Sequence, residues 1–179
     1  MNPLLRAIIN ELEGDEIPHF FTGSRCWGVS GQDSDYDLCI HFDDYDDVKG
    51  IINKIMNDNA REEVEARYSK HNNIIEKYLE EGAISLKDTD YVHSPYGAGV
   101  KIEIAGDELN LIRLLEGDFL FWLFATNSMV NIYKINPSQL VNKTFRHSVF
   151  ENLRAIAKST ITYEGWKITG DNLLKLVKE

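Results

Sequence analysis

Asp35 and Asp37 stand one residue apart at the head of an apolar run, "YDLCIHF". A β-strand alternates its faces with a period of two, so both carboxylates project from one face while Tyr36 and Leu38 take the other. Like charges this close raise each other's pKa unless a cation neutralises them. The pattern therefore predicts either a metal site or a solvated strand start. A Gly23-Ser24 turn lies upstream, separated from Asp35 by ten residues. Its backbone N–H groups, with a helix N-terminus if Ser24 caps a short helix through Cys26 and Trp27, would make a phosphate cradle. Gly23 would let a triphosphate approach the backbone. Arg25 would add a bidentate phosphate contact or an ion pair with Asp33 or Asp35. Mg²⁺ takes hard oxygen ligands, usually one or two carboxylates together with substrate phosphates. A two-metal site stabilises both the attacking and the leaving oxygens of a phosphoryl displacement.

The surrounding elements must hold these groups. Pro3, then Leu4, Leu5, Ile8, Ile9 and Leu12 at helical spacing, predicts a first helix ending near Gly14. "IPHFF" reads as a strand entering the turn and "YDLCIHF" as a buried strand. "DDYDDVKGIINKIMND" reads as a helix with acids at its N-terminus, where the helix dipole favours them. "HNNIIEKYLEEG" is expected to be another helix, "AISL" a strand, and "SPYGAG" a loop. In "GVKIEIAGDELNLIRL" two apolar-alternating runs flank Gly106-Asp107, which predicts a type II′ hairpin. That register sets Ala105 against Glu108, Ile104 against Leu109, and Glu103 against Asn110 on a shared face. "GDFLFWLFATNSMV", the stretch opened by Pro137, and a last segment capped by Asp171 read as helices. The order predicts an α+β fold: a small mixed β-sheet flanked by helices. A core over residues 1–125 would carry a helical C-terminal extension over 126–179 packed on it.

The 179 residues are 43% hydrophobic, enough for a sizeable core in one domain. No apolar run reaches membrane-spanning length, and "MNPLLRAIINELEGDE" lacks a signal-peptide pattern, so a cytoplasmic protein with no membrane partner is expected. Cys26 and Cys39 have neither metal spacing nor a disulfide framework. The net charge of −10 is uneven: residues 126–179 hold eight Lys/Arg against four Asp/Glu, and residues 1–125 hold 11 against 25. The overall sign disfavours loose binding to nucleic-acid backbones, while the basic C-terminal third suits a local anion site.

"GSRCWGVSGQDSDYDL" on a strand–turn–strand pattern resembles the DNA polymerase β-type nucleotidyltransferase superfamily, and within it the small bacterial and phage-type members, where a Gly-Ser-Arg turn precedes "SDxD". "LNLI", the "WLFAT" helix and the Lys/Arg-bearing helix after it are similar too. The resemblance implies a polymerase β-like core that transfers a nucleoside monophosphate from an NTP, such as ATP, to a hydroxyl acceptor and releases pyrophosphate. It implies that Gly23 and Ser24, with Arg25, hold the triphosphate and that Asp35 and Asp37 bind Mg²⁺ or Mn²⁺. The superfamily's third carboxylate falls on Asn110, a neutral amide, so Glu103 is expected to supply the missing charge from the neighbouring strand. Asn110, Lys143 and Arg146 complete the expected nucleotide contacts.

Blander readings stand beside these. Asp43, Asp44, Asp46 and Asp47 suit a solvated helix start, Trp122 suits core, and Lys143 and Arg146 suit solvent equally well. His71, His93 and His147 show no ligand spacing. A catalytically silent nucleotide- or protein-binding module on the same fold is the rival to the enzyme. A toxin or antitoxin component that modifies tRNA or a partner protein is a third reading. The acceptor's class, whether protein, RNA or small molecule, has no signature in the chain.

Overall fold

The computed structural model describes residues 1–68, 91–94, 97–104 and 106–160, with side chains left out over 60–100 and at 103, 116 and 160. The helix expected over 71–82, the strand over 83–86, the Asp171-capped segment and His71 lie outside the described residues. So do the side chain of His93 and the turn residue Ala105.

Five strands form one mixed sheet: β1 (His19–Thr22), β2 (Tyr36–His41), β3 (Tyr91–Ser94), β4 (Gly97–Ile104) and β5 (Asp107–Leu114), in the order β1-β2-β5-β4-β3. β1 runs antiparallel to β2, β2 parallel to β5, and β5, β4 and β3 are successive antiparallel neighbours. The helices are α1 (Pro3–Gly14), the single turn α2 (Gly23–Cys26), α3 (Tyr45–Tyr68), α4 (Glu116–Ile135) and α5 (Lys143–Thr160). The expected α+β class is what the chain adopts. No described helix is long and apolar enough to cross a membrane.

α1 begins where the sequence signals it. Pro3 occupies the first turn, where its missing N–H costs nothing. Asn2 caps the helix by accepting from the Leu5 N–H at 2.9 Å. The Asn2 amide also donates to the Ile104 carbonyl at 2.6 Å and to Asp107 at 2.9 Å. The start of α1 is thereby fastened to the β4–β5 turn. Leu5, Ile8 and Leu12 then face inward, fully buried, each contributing about 1.5–3 kcal/mol.

Period-two alternation divides the sheet into two unlike faces. On the first, Tyr36, Leu38 and Ile40 of β2, Leu109 and Leu111 of β5, and Ile102 and Ile104 of β4 make one apolar cluster with Leu5, Ile8 and Leu12 of α1 and Val48, Ile52 and Met56 of α3. On the second, Phe20, Cys39 and Leu114 meet Phe119, Trp122 and Leu123 of α4, and Phe150 of α5 closes the cluster. Trp122 is core, edge-on to Phe150 at 5.1 Å between centroids. A boundary after residue 125 falls inside α4, and Leu123, Ala125 and Met129 belong to the same cluster as Phe20 and Phe150.

Several local expectations change. The β4–β5 loop consists of residues 105 and 106, with Ile104 paired to Asp107, so Gly106 takes the second loop position at φ +87°. Of the loop expected over Ser94–Gly99, Ser94 ends β3 and Gly97–Gly99 open β4, the two strands paired antiparallel; residues 95 and 96 lie outside the described residues. After Pro137 the chain makes a 3-10 turn, Pro137–Leu140, before α5, whose N-terminus is capped by Asn142 accepting from the Phe145 N–H at 2.9 Å. Asp43 and Asp44 sit in a 3-10 turn, Phe42–Asp44, while Asp46 and Asp47 open α3.

Candidate active site

The second face of the sheet is only partly roofed. Register places Thr22, Asp37, Asn110 and Lys101 side by side across β1, β2, β5 and β4. Cover thins along that row: Thr22 is buried, Asp37 and Asn110 are half-buried, and Lys101 is exposed. α4 covers the β1 end, where the Thr126 hydroxyl meets the Thr22 hydroxyl at 2.7 Å. One row further along the strands, Phe20, Cys39 and Ile112 are apolar. The polar groups thus collect where the roof ends.

Asp35, just before β2, joins this row through Asn110. The Asn110 Nδ2 donates to Asp35 Oδ2 at 2.6 Å and to Asp37 Oδ1 at 2.8 Å. Both are charge-assisted bonds, stronger than neutral ones. The two carboxylates therefore converge on one point, as the alternation argument requires. The other amide atom, Asn110 Oδ1, is buried and has no hydrogen-bond partner among the described residues.

Gly23 is required here for two reasons. Its φ of +75° lies in the left-handed region, and a Cβ on it would stand 1.9 Å from Asp37 Oδ2. The Asp37 carboxylate therefore rests against the bare Cα of the turn. α2 starts at Gly23 with Thr22 in the cap position, so Ser24 is not the cap; it is half-buried and its carbonyl accepts from the Val29 N–H at 3.0 Å.

Arg25 pairs with neither Asp33 nor Asp35. Its Nε donates to the Ser34 carbonyl at 2.6 Å, a second nitrogen reaches the Gln32 carbonyl at 3.4 Å, and the guanidinium lies 4.1 Å from the centre of the Tyr36 ring. Arg25 thus braces the 32–34 loop that delivers Asp35.

Burial pushes the Asp37 carboxyl up to about 6; the Asn110 bond opposes the rise and the Asp35 charge adds to it. Lys101 forms an ion pair with Glu108. That bond is the main cause that holds the Lys101 pKa up, and Asp35 and Asp37 add to it.

Glu103 does not face Asn110. The shifted hairpin sets Glu103 against Glu108 and Lys101 against Asn110, so the expected substitution of Glu103 for a third acid opposite Asn110 is corrected. The physical cause is the loop: moving it by one residue moves each pairing by two. Among the described residues, no group of three or more His, Cys, Asp and Glu side chains is arranged to hold a metal ion. Two carboxylates and one amide remain.

Lys143 and Arg146 lie on α5, and neither joins this cluster. The Arg146 guanidinium donates to the carbonyls of Leu140 and Val141 at 3.3 and 3.1 Å, tying α5 to the turn before it. Lys143 is exposed. The His147 pKa is lowered, first by burial and then by the charges of Arg146 and Lys143.

Sequence reasoning missed Lys101, Glu108 and the Tyr36 platform under Arg25. The signal for the first two was present in the alternation of Lys101 and Glu103 with Ile102 and Ile104, but it depends on the loop position.

The donor set suits a hard divalent cation: two carboxylates held together by one amide, one of them against a bare glycine, and an amide oxygen that is buried and lacks a partner among the described residues. Asp35, Asp37 and Asn110 are the residues that could hold it. Set against protein-family models, curated proteins and solved structures, the chain has no match.

Proposed function

We propose that this chain is a Mg²⁺-dependent nucleotidyltransferase with a polymerase β-like core. It would move a nucleoside monophosphate from an NTP to a hydroxyl acceptor and release pyrophosphate. The observation that carries this reading is the convergence of Asp35 and Asp37 on the Asn110 amide nitrogen, with the Asp37 carboxylate resting against Gly23. The Gly-Ser turn, Asp35 just before β2 and Asp37 on it are parts the superfamily resemblance calls for; where it calls for a third carboxylate, on β5 beside β2, this chain has the amide Asn110. The cation, once bound, would neutralise charge on the triphosphate and on the oxygens entering and leaving phosphorus.

The protein's own groups have simpler tasks. Asp35 and Asp37 hold the cation. Gly23 leaves room for Asp37 and for close backbone approach by phosphate. Arg25 keeps Asp35 in place through Ser34 and Gln32. Lys101 offers a positive charge at the open end of the row. The acceptor oxygen bonds to the α-phosphorus, the bond to the oxygen bridging α and β breaks, and pyrophosphate departs. The hydroxyl proton leaves to water, because neutral Asn110 offers no base. Catalysis is then chiefly positioning and charge neutralisation.

Pyrophosphate release from each NTP, measured in the presence of Mg²⁺ and cell extract, tests the reading. Asp35→Asn and Asp37→Asn are each expected to lower the rate at least about a hundredfold. Full activity in both would remove the aspartates from the mechanism. The amide at position 110 favours a second reading, a nucleotide-binding module without turnover. Calorimetric binding of NTP with no pyrophosphate from any acceptor fraction would select it.

A further inference from the structure

The Asn110 side chain presents two chemically opposite ends from one position. Its nitrogen is spent on both aspartates, and its oxygen is buried without a partner among the described residues. Without a cation only this orientation is sensible. Turning the oxygen inward would set a carbonyl dipole against two carboxylates at hydrogen-bond distance, a repulsive contact. With a cation between the carboxylates, the preference reverses, because a carbonyl oxygen is a ligand for hard divalent ions and an N–H₂ group is not.

We infer that Asn110 is a two-position residue: its nitrogen clamps Asp35 and Asp37 together before a divalent cation arrives, and its oxygen becomes the third protein ligand afterwards. Half a turn about the Cβ–Cγ bond exchanges the two atoms and needs no backbone movement. The exchange moves the N–H₂ group into the buried position that the oxygen leaves. The aspartates, meanwhile, exchange N–H donors for a cation. A third carboxylate at 110 could not act this way. It would repel Asp35 and Asp37 in the empty site, whereas the amide holds them in place. The clamp also answers the like-charge problem with which the sequence began.

This inference rests on the cation reading of the site, and its test separates the two. Mg²⁺ binding is measured by calorimetry on the full chain for wild type, Asn110→Leu and Asp37→Asn. A ligand role predicts that Asn110→Leu weakens Mg²⁺ binding roughly tenfold or more, because a donor is lost and the carboxylates are unclamped. If the amide only competes with the cation, Asn110→Leu binds Mg²⁺ as tightly as wild type or tighter, and the inference fails while the cation site stands. If folded wild type binds no Mg²⁺ with or without NTP, both readings fail. The side-chain amide resonance of Asn110, identified by its loss in Asn110→Asp, gives a check on the wild-type protein alone. Its two protons are expected to move upfield together as Mg²⁺ saturates the site, having lost their carboxylate acceptors. An amide pair unmoved at saturation overturns the inference.

Discussion

The two faces of the β-sheet are made by the same strands, yet they do different work. On the face under α1 and α3, Leu38, Ile40, Leu109, Leu111 and Ile104 are wholly buried, and the charged residue at its margin, Arg113, lies over the Tyr45 ring. On the face under α4, the row Phe20–Cys39–Ile112 is followed by the row Thr22–Asp37–Asn110–Lys101. A helix that stops covering a sheet must leave polar residues at the uncovered end, or an apolar patch would meet water. The difference teaches that one face supplies stability while the other holds charges in strained proximity. Placing both on alternate residues of β2 fixes the charges by the packing of their neighbours.

The sharpest way to break this division is Leu38→Ala. Removing a fully buried leucine from the closed face is expected to cost about 2–5 kcal/mol, read from urea unfolding. Its activity per folded molecule should stay close to wild type if the faces are separable. A variant that loses activity while folded would show that they are not.

A pH series tests the open face. Asp37 is raised from 3.8 to about 6 by burial, so its protonated form is favoured in the folded protein. The stability that this provides is complete below about pH 4 and is lost as pH rises through about 6. The total is on the order of 3 kcal/mol. Other carboxylates titrate as well, so the measurement is the difference between wild type and Asp37→Asn. Wild-type stability relative to the variant should fall across that window. Mg²⁺ should reduce the fall, since the cation favours the ionised form, and Mg²⁺ binding itself should weaken below about pH 6.

The smallest effect separates two glycines. Gly23 and Gly106 both have positive φ, but only at Gly23 would a Cβ meet a neighbour, Asp37. Gly106→Ala should cost roughly 1 kcal/mol of thermal stability and leave Mg²⁺ binding unchanged. Gly23→Ala should cost somewhat more, about 1–3 kcal/mol, and also weaken Mg²⁺ binding, because the Asp37 carboxylate must move. Equal effects on binding would unseat Gly23 from the site.

The parts legible in the sequence were the local ones. Pro3 with the Leu5, Ile8 and Leu12 spacing defined α1, and the alternation around Asp35 and Asp37 put both on one face. What stayed hidden depended on long-range pairing or on a single loop residue. The parallel pairing of β2 with β5 has no local signature. The hairpin is recognisable, but its loop reads one residue late in the sequence, and that slip moves each cross-strand pairing by two and gives Asn110 the wrong partner. Arg146 reads as a cation for ligands because charge shows in sequence, whereas the Leu140 and Val141 carbonyls that engage it do not.

Asp37 and Asn110 meet although 73 positions separate them in the chain. Loops of that length close slowly, and nothing in the short segment around the aspartates rewards the closure beforehand. A growing polypeptide therefore carries its two acids well before it carries the amide that reconciles them. During synthesis the pair lacks its Asn110 bonds until β5 docks beside β2.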